Sequence, residues 1–82
     1  MTTAGCDWEA IDGFDSLADY RRFRNWIEGQ MTSGLVASVP VTKPYSGSTL
    51  WEEHWFKCLS DEKTWRLVGP DPPFRGLFKM VP

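Results

Sequence analysis

Residues that usually carry chemistry are scarce in this chain: one histidine, His54, and two cysteines, Cys6 and Cys58. Structural zinc usually takes four Cys or His ligands, often as closely spaced pairs, and neither C-x-x-C nor H-x-x-x-H occurs. No P-loop, G-x-G-x-x-G or G-x-S-x-G is present, so phosphate cradles and nucleophile elbows have no sequence basis. Positive charge is not in surplus: the formal net charge is -2, which argues against generic nucleic-acid binding, where basic patches neutralise phosphates. The longest nearly apolar run, "LVASVPV", is far too short to cross a bilayer. The first residues are polar and acidic where a secretory signal would be basic and then apolar. With two widely separated cysteines, far fewer than a disulfide-dense secreted domain uses, a cytoplasmic protein with free thiols is the default expectation. Internal repeats and low-complexity segments are absent too. No metal, cofactor, membrane or nucleic acid is called for, and the expectation is a non-enzyme.

What the chain has is aromatic surface. Its 82 residues suffice for one domain, which buries only about 60–65% of its unfolded surface and must use its apolar residues efficiently. Aromatics make up 15% of the sequence, five of them tryptophan, a content foreign to disordered chains. Charge is segregated. Residues 1–19 carry Asp7, Glu9, Asp12, Asp15 and Asp19 with no Lys or Arg, a local charge of -5; the remaining nine basic and six acidic groups give +3. Residues 1–13 read as an acidic N-terminal arm, pinned at its end by Trp8 and Ile11, and 14–82 as a single domain. Asp7, Glu9 and Asp12 would steer a basic partner, or simply solvate the arm.

The best-marked element starts at "FDSLADYRRFRNWIEGQMTSG". Ser16 and Asp19 form a capping box in its Asp variant, with Asp15 an alternative cap. Leu17, Tyr20, Phe23, Ile27 and Met31 recur at helical spacing, and Gly34 closes the pattern. This predicts a helix over about 16–33. Trp26 falls roughly 100° from the centre of the apolar stripe, on the helix flank. In "LVASVPV", Pro40 cannot donate to a ladder, so an edge strand or extended arm is predicted there. "KPYSGS" is a loop, 49–59 a strand, "SDEK" a turn, "TWRLV" a strand, "GPDPP" irregular, and "FRGLFKMV" a last strand. The expected fold is α+β: one helix packed on a small antiparallel sheet of three to four strands.

The stretch "LWEEHWFKC", residues 50–58, has the residue types of chemistry without the spacing. In a strand, Leu50, Glu52, His54, Phe56 and Cys58 share one face, and Trp51, Glu53, Trp55, Lys57 and Leu59 the other. His54 and Cys58 are then roughly 13 Å apart, whereas a thiol–imidazole pair needs about 3 Å. Glu52 and Glu53 point opposite ways and cannot flank one bond. Glu52 and His54 share a face and suit a charge-assisted pair. With large apolar groups on both sides, one face is core and the other is covered by the arm or by a partner.

Five tryptophans exceed what so small a sheet and helix can hide, which makes one or two of them contact anchors, with Trp26 and Trp51 first and Trp55 third. Glu53 shares the face of Trp51 and Trp55. The loop "VGPDPPFRG" is the other interaction candidate, because a Pro-rich segment is pre-organised; it holds Asp71 and is flanked by Arg66 and Arg75.

The order of the pieces "RNWIEGQ", "YSGSTLWEEHWF", "SDEKTWRLVGPD" and "PFRG", over about residues 20–75, resembles small immunity proteins of bacterial toxin systems. The resemblance implies a tight, stoichiometric inhibitor that plugs a cognate toxin. A protein-binding module of that kind is the expected function; the alternative is a small-ligand or regulatory module with an aromatic pocket between helix and sheet.

Overall fold

The computed structural model describes residue 6, residues 8–47 and residues 51–81. Its helix, α1 (Leu17–Thr32), starts where the capping residues place it: Ser16 is the N-cap and its Oγ accepts the Asp19 N–H at 3.1 Å. At the other end Gly34, at φ +81°, takes the left-handed conformation that costs glycine least, and the Leu35 N–H donates back to the Gln30 carbonyl.

Four strands follow: β1 (Val36–Val39), β2 (Glu53–Cys58), β3 (Thr64–Val68) and β4 (Leu77–Met80). They form one antiparallel sheet in the order β1-β2-β3-β4. The expected α+β architecture is therefore present, with β1 on an edge and Pro40 just past its end. The stretch read as a strand over 49–59 is the interior strand β2; residues 49 and 50 lie outside the described residues.

Period-two alternation sends Val36, Phe56, Cys58, Trp65, Leu67 and Phe78 to one face, where α1 covers them with Tyr20 and Ile27. Phe14, Trp8, Ile11, Phe23 and Met31 complete this core. Within it Phe23 meets Phe78 at 4.7 Å between ring centroids, and Trp65 stacks on Phe78 at 4.9 Å. Leu17, first in the predicted stripe, is instead 51% exposed: Phe14, just before the cap, fills the core at that end of the helix.

The expectation of free thiols is overturned. Cys6 and Cys58 form a disulfide that ties the N-terminal segment to the end of β2. The segment is held again at Ile11, whose N–H and carbonyl both bond Phe78 of β4, at 2.8 and 2.9 Å. Asp12 pairs with Lys79 at 2.9 Å and Asp15 with Arg75 at 2.8 Å, so part of the acidic charge is matched within the chain. Asp7 lies outside the described residues.

Candidate interaction surface

The face of the sheet away from α1 carries Glu53, Trp55, Lys57, Arg66, Val68 and Lys79. The expectation that Trp55 is open to a partner is corrected here: it is 7% exposed. The chain supplies its own cover. Arg66, directly across the ladder, lies over the Trp55 ring at 5.5 Å and equally over Tyr45 at 5.5 Å. A planar cation between two aromatic faces is attracted by both quadrupoles.

Glu53 locks this arrangement. Its carboxylate accepts the Tyr45 N–H at 2.8 Å and the Trp55 indole N–H at 2.7 Å, and lies 3.3 Å from Arg66 Nε. With its side chain only 5% exposed, Glu53 is a buried acid whose partners surround it. Glu53, Trp55 and Arg66, all expected at a contact surface, are thus internal supports. Trp51 is half-buried against Phe74 at 4.5 Å between centroids.

Glu52, on the opposite side of the strand, gathers three groups. The Tyr20 hydroxyl donates to it at 2.5 Å and Arg24 at 2.8 Å, while His54 Nε2 lies 3.5 Å away, giving the expected Glu52–His54 pair. The Tyr20 hydrogen bond holds the Glu52 carboxyl below its ordinary range, against the opposing effect of burial and with help from Arg24 and His54. Burial, reinforced by the Glu52 charge, pushes the Tyr20 hydroxyl upward. The cluster joins α1 to β2. The Cys58 sulfur is committed to the disulfide, so the stretch offers no thiol nucleophile.

In the Pro-rich loop, Asp71 and Phe74 exchange backbone hydrogen bonds at 2.9 Å across a turn whose Pro72–Pro73 peptide is cis. Asp71 is exposed there. Arg75 donates to the Phe14 carbonyl and to Asp15, tying the loop to the residues that precede α1. Between loop and helix start lies a cleft of about 360 Å³, with Phe14, Leu17, Pro70 and Phe74 in its walls.

The residues brought together as an open surface are Trp26 and Glu9. Trp26 is 45% exposed on the flank of α1, as its angular position predicts. It packs edge-on against Trp8 at 6.3 Å and tilted on Phe23 at 5.5 Å. Between them opens a cleft of about 370 Å³, lined also by Ile11, Phe78 and exposed Glu9. The interior between helix and sheet is filled by the core side chains; the aromatic cleft opens at the helix flank, against the N-terminal segment.

Sequence reasoning missed Trp8 as a wall of this cleft. It treated the residue as a pin, and nothing in "CDWEAID" announces a partner on a helix some 18 positions away. It also missed Tyr45 and Tyr20, whose roles follow from register rather than from local pattern. Compared with protein-family models, curated proteins and solved structures, the chain matches none.

Proposed function

We propose that this chain is a small protein-binding domain of the immunity-inhibitor kind, which grips a basic partner with the Trp26–Trp8 cleft. One observation carries the reading. A tryptophan that is nearly half exposed is held rigidly by Trp8 and Phe23 at the wall of an apolar cleft with a carboxylate beside it. Rigid, partly buried aromatics are the usual energetic anchors of protein interfaces, and they lose little side-chain entropy when covered. Exposed Glu9 supplies negative potential on the same segment, the kind of charge that speeds encounter with a cationic surface, while the charge of Asp12 is met by Lys79.

The disulfide also supports a reading of the compartment. Such bonds persist where the environment is oxidising and are rare in the cytosol, so the Cys6–Cys58 bridge favours an oxidising compartment over the cytoplasm. Among the described residues no helix is long and apolar enough to cross a membrane.

The test uses Trp26→Ala as bait beside the parent chain, with unfolding curves to confirm that both are folded. Loss of an anchor weakens binding by roughly thirtyfold or more. An equal affinity of the two baits for the same partner refutes the assignment. A second reading has a specific observation behind it, because a cleft of about 370 Å³ is within the size range of small-molecule sites. Saturable quenching of tryptophan fluorescence by an apolar metabolite, abolished by Trp26→Ala, would favour that reading.

A further inference from the structure

The two edges of the sheet are finished differently. At β4, Ile11 pairs with Phe78 through both backbone groups and Asp12 meets Lys79, so that edge is covered and carries charge. β1 has neither device. Residues 33–42, "SGLVASVPVT", contain no charged side chain, although charge is a usual guard on an exposed edge. The hydrogen-bond pattern shows which groups of this edge are unused. The Leu59 N–H donates to the Leu35 carbonyl at 3.1 Å. With Ala37 opposite Lys57 and Val39 opposite Trp55, the odd-numbered residues of β1 are then the ones bonded to β2. Val36 and Ser38 turn their N–H and carbonyl groups outward, and among the described residues no backbone group beyond the sheet bonds them.

This edge is complementary to itself. We infer that β1 pairs antiparallel with β1 of a second copy of the chain, about a twofold axis at Ala37, joining the two sheets into one. In that register Val36 of each copy exchanges both backbone bonds with Ser38 of the other, which uses every outward group of the strand. Ala37 faces its own counterpart in a non-hydrogen-bonded pair, where side chains come closest and a small one fits. Leu35, 55% exposed, lies across from Val39 of the second copy, on the same face as Ala37. Gly34 falls opposite Pro40, and there the ladder stops at both ends, because proline has no donor to give. Length, register and apolar seam all match a second copy, which selects it over a foreign strand. The contact is small, so the dimer belongs with the weak interfaces and dissociates at about 10–100 µM. It stands apart from the Trp26 cleft, which lies against Ile11 and Phe78 at the β4 edge.

Sedimentation velocity of the oxidised protein up to about 1 mM reads the association, with Ala37→Lys and Ala37→Glu run separately and as an equimolar mixture. Each introduced charge meets its own copy at the axis, so each variant alone should associate roughly tenfold more weakly or worse, and the mixture should recover the dimer. Ser38→Pro is an independent check. It removes an outward N–H that β2 does not use, so unfolding curves should show a folded domain while the dimer is lost. Trp26→Ala should associate as the parent does, which separates this edge from the cleft. The inference is overturned if the parent stays monomeric at about 1 mM, or if folded Ser38→Pro or Ala37→Lys associates as tightly as the parent. It is also overturned if the mixture of charged variants associates no better than either alone, or if Trp26→Ala abolishes the dimer.

Discussion

Replacing Cys6 with serine removes a bridge between residues 52 positions apart, and the structure sets the size of the effect. In the chain-entropy account, the stabilisation grows with the logarithm of the loop; for a loop of this length it amounts to about 4 kcal/mol at 25 °C. A domain of this size is stable by only about 4–12 kcal/mol in total, so the bridge accounts for a third of the stability or more. The loss is local as well as global. Without the bridge, Trp8 is held by Ile11's pairing with Phe78 and by its contacts with Trp26, Trp65 and Phe78. Cys6→Ser is the cleaner single change, because Cys58 is fully buried and keeps a Ser60 hydroxyl 3.2 Å from its sulfur. Urea unfolding of the oxidised protein and of Cys6→Ser, with thiol titration of both, measures the effect. A midpoint shift worth less than about 1 kcal/mol, or two titratable thiols in the air-oxidised native protein, would refute the reasoning.

Tyr20→Phe should lower stability at neutral pH by about 1 kcal/mol, since it deletes a hydrogen bond to a charged but half-exposed acceptor. It should also flatten both ends of the stability–pH curve. The lowered Glu52 pKa contributes stability that is complete above the ordinary glutamate range near 4.3 and lost as pH falls through the folded value; the raised Tyr20 pKa contributes stability complete below about 10 and lost as pH rises further. Arg66→Ala leaves Glu53 buried beside Trp55 without its cation; chemical denaturation should show a loss of roughly 2–4 kcal/mol, and Trp55 emission should change with it. Two glycines should respond in opposite directions. A Cβ at Gly76 would lie 2.6 Å from the Val68 carbonyl at φ +78°, so Gly76→Ala should cost more than about 2 kcal/mol, whereas Gly29→Ala, in open space on the helix, should gain about 0.5–1 kcal/mol in thermal unfolding.

What was legible in the sequence was local. Ser16, Asp19 and Gly34 mark the helix because capping is a short-range hydrogen-bonding matter, and Pro40 marks the edge strand because a missing donor needs no tertiary context. The flank position of Trp26 follows from the helical period alone. The roles of Glu53, Trp55 and Arg66 needed register. Facing Trp55 with Arg66 across β2 and β3 turns a candidate contact surface into a closed cation–aromatic layer, and alternation along either strand cannot supply that pairing. The disulfide was hidden for a related reason, because cysteines 52 positions apart carry no local sign of meeting. Glu9 and Asp12 kept their expected exposure, yet Asp12 also serves an internal pair with Lys79, so its charge acts at close range before it steers anything.

The most direct test of protein binding through the Trp26 cleft is affinity capture from the source cells. The oxidised chain and its Trp26→Ala variant serve as parallel baits, and hydrogen exchange on the retained complex follows. The account predicts one stoichiometric partner that survives a high-salt wash on the parent bait, is lost from the variant, and protects residues 8–11 and 22–26. A partner held equally by both baits, protection confined to other segments, or no stoichiometric partner at all would contradict it.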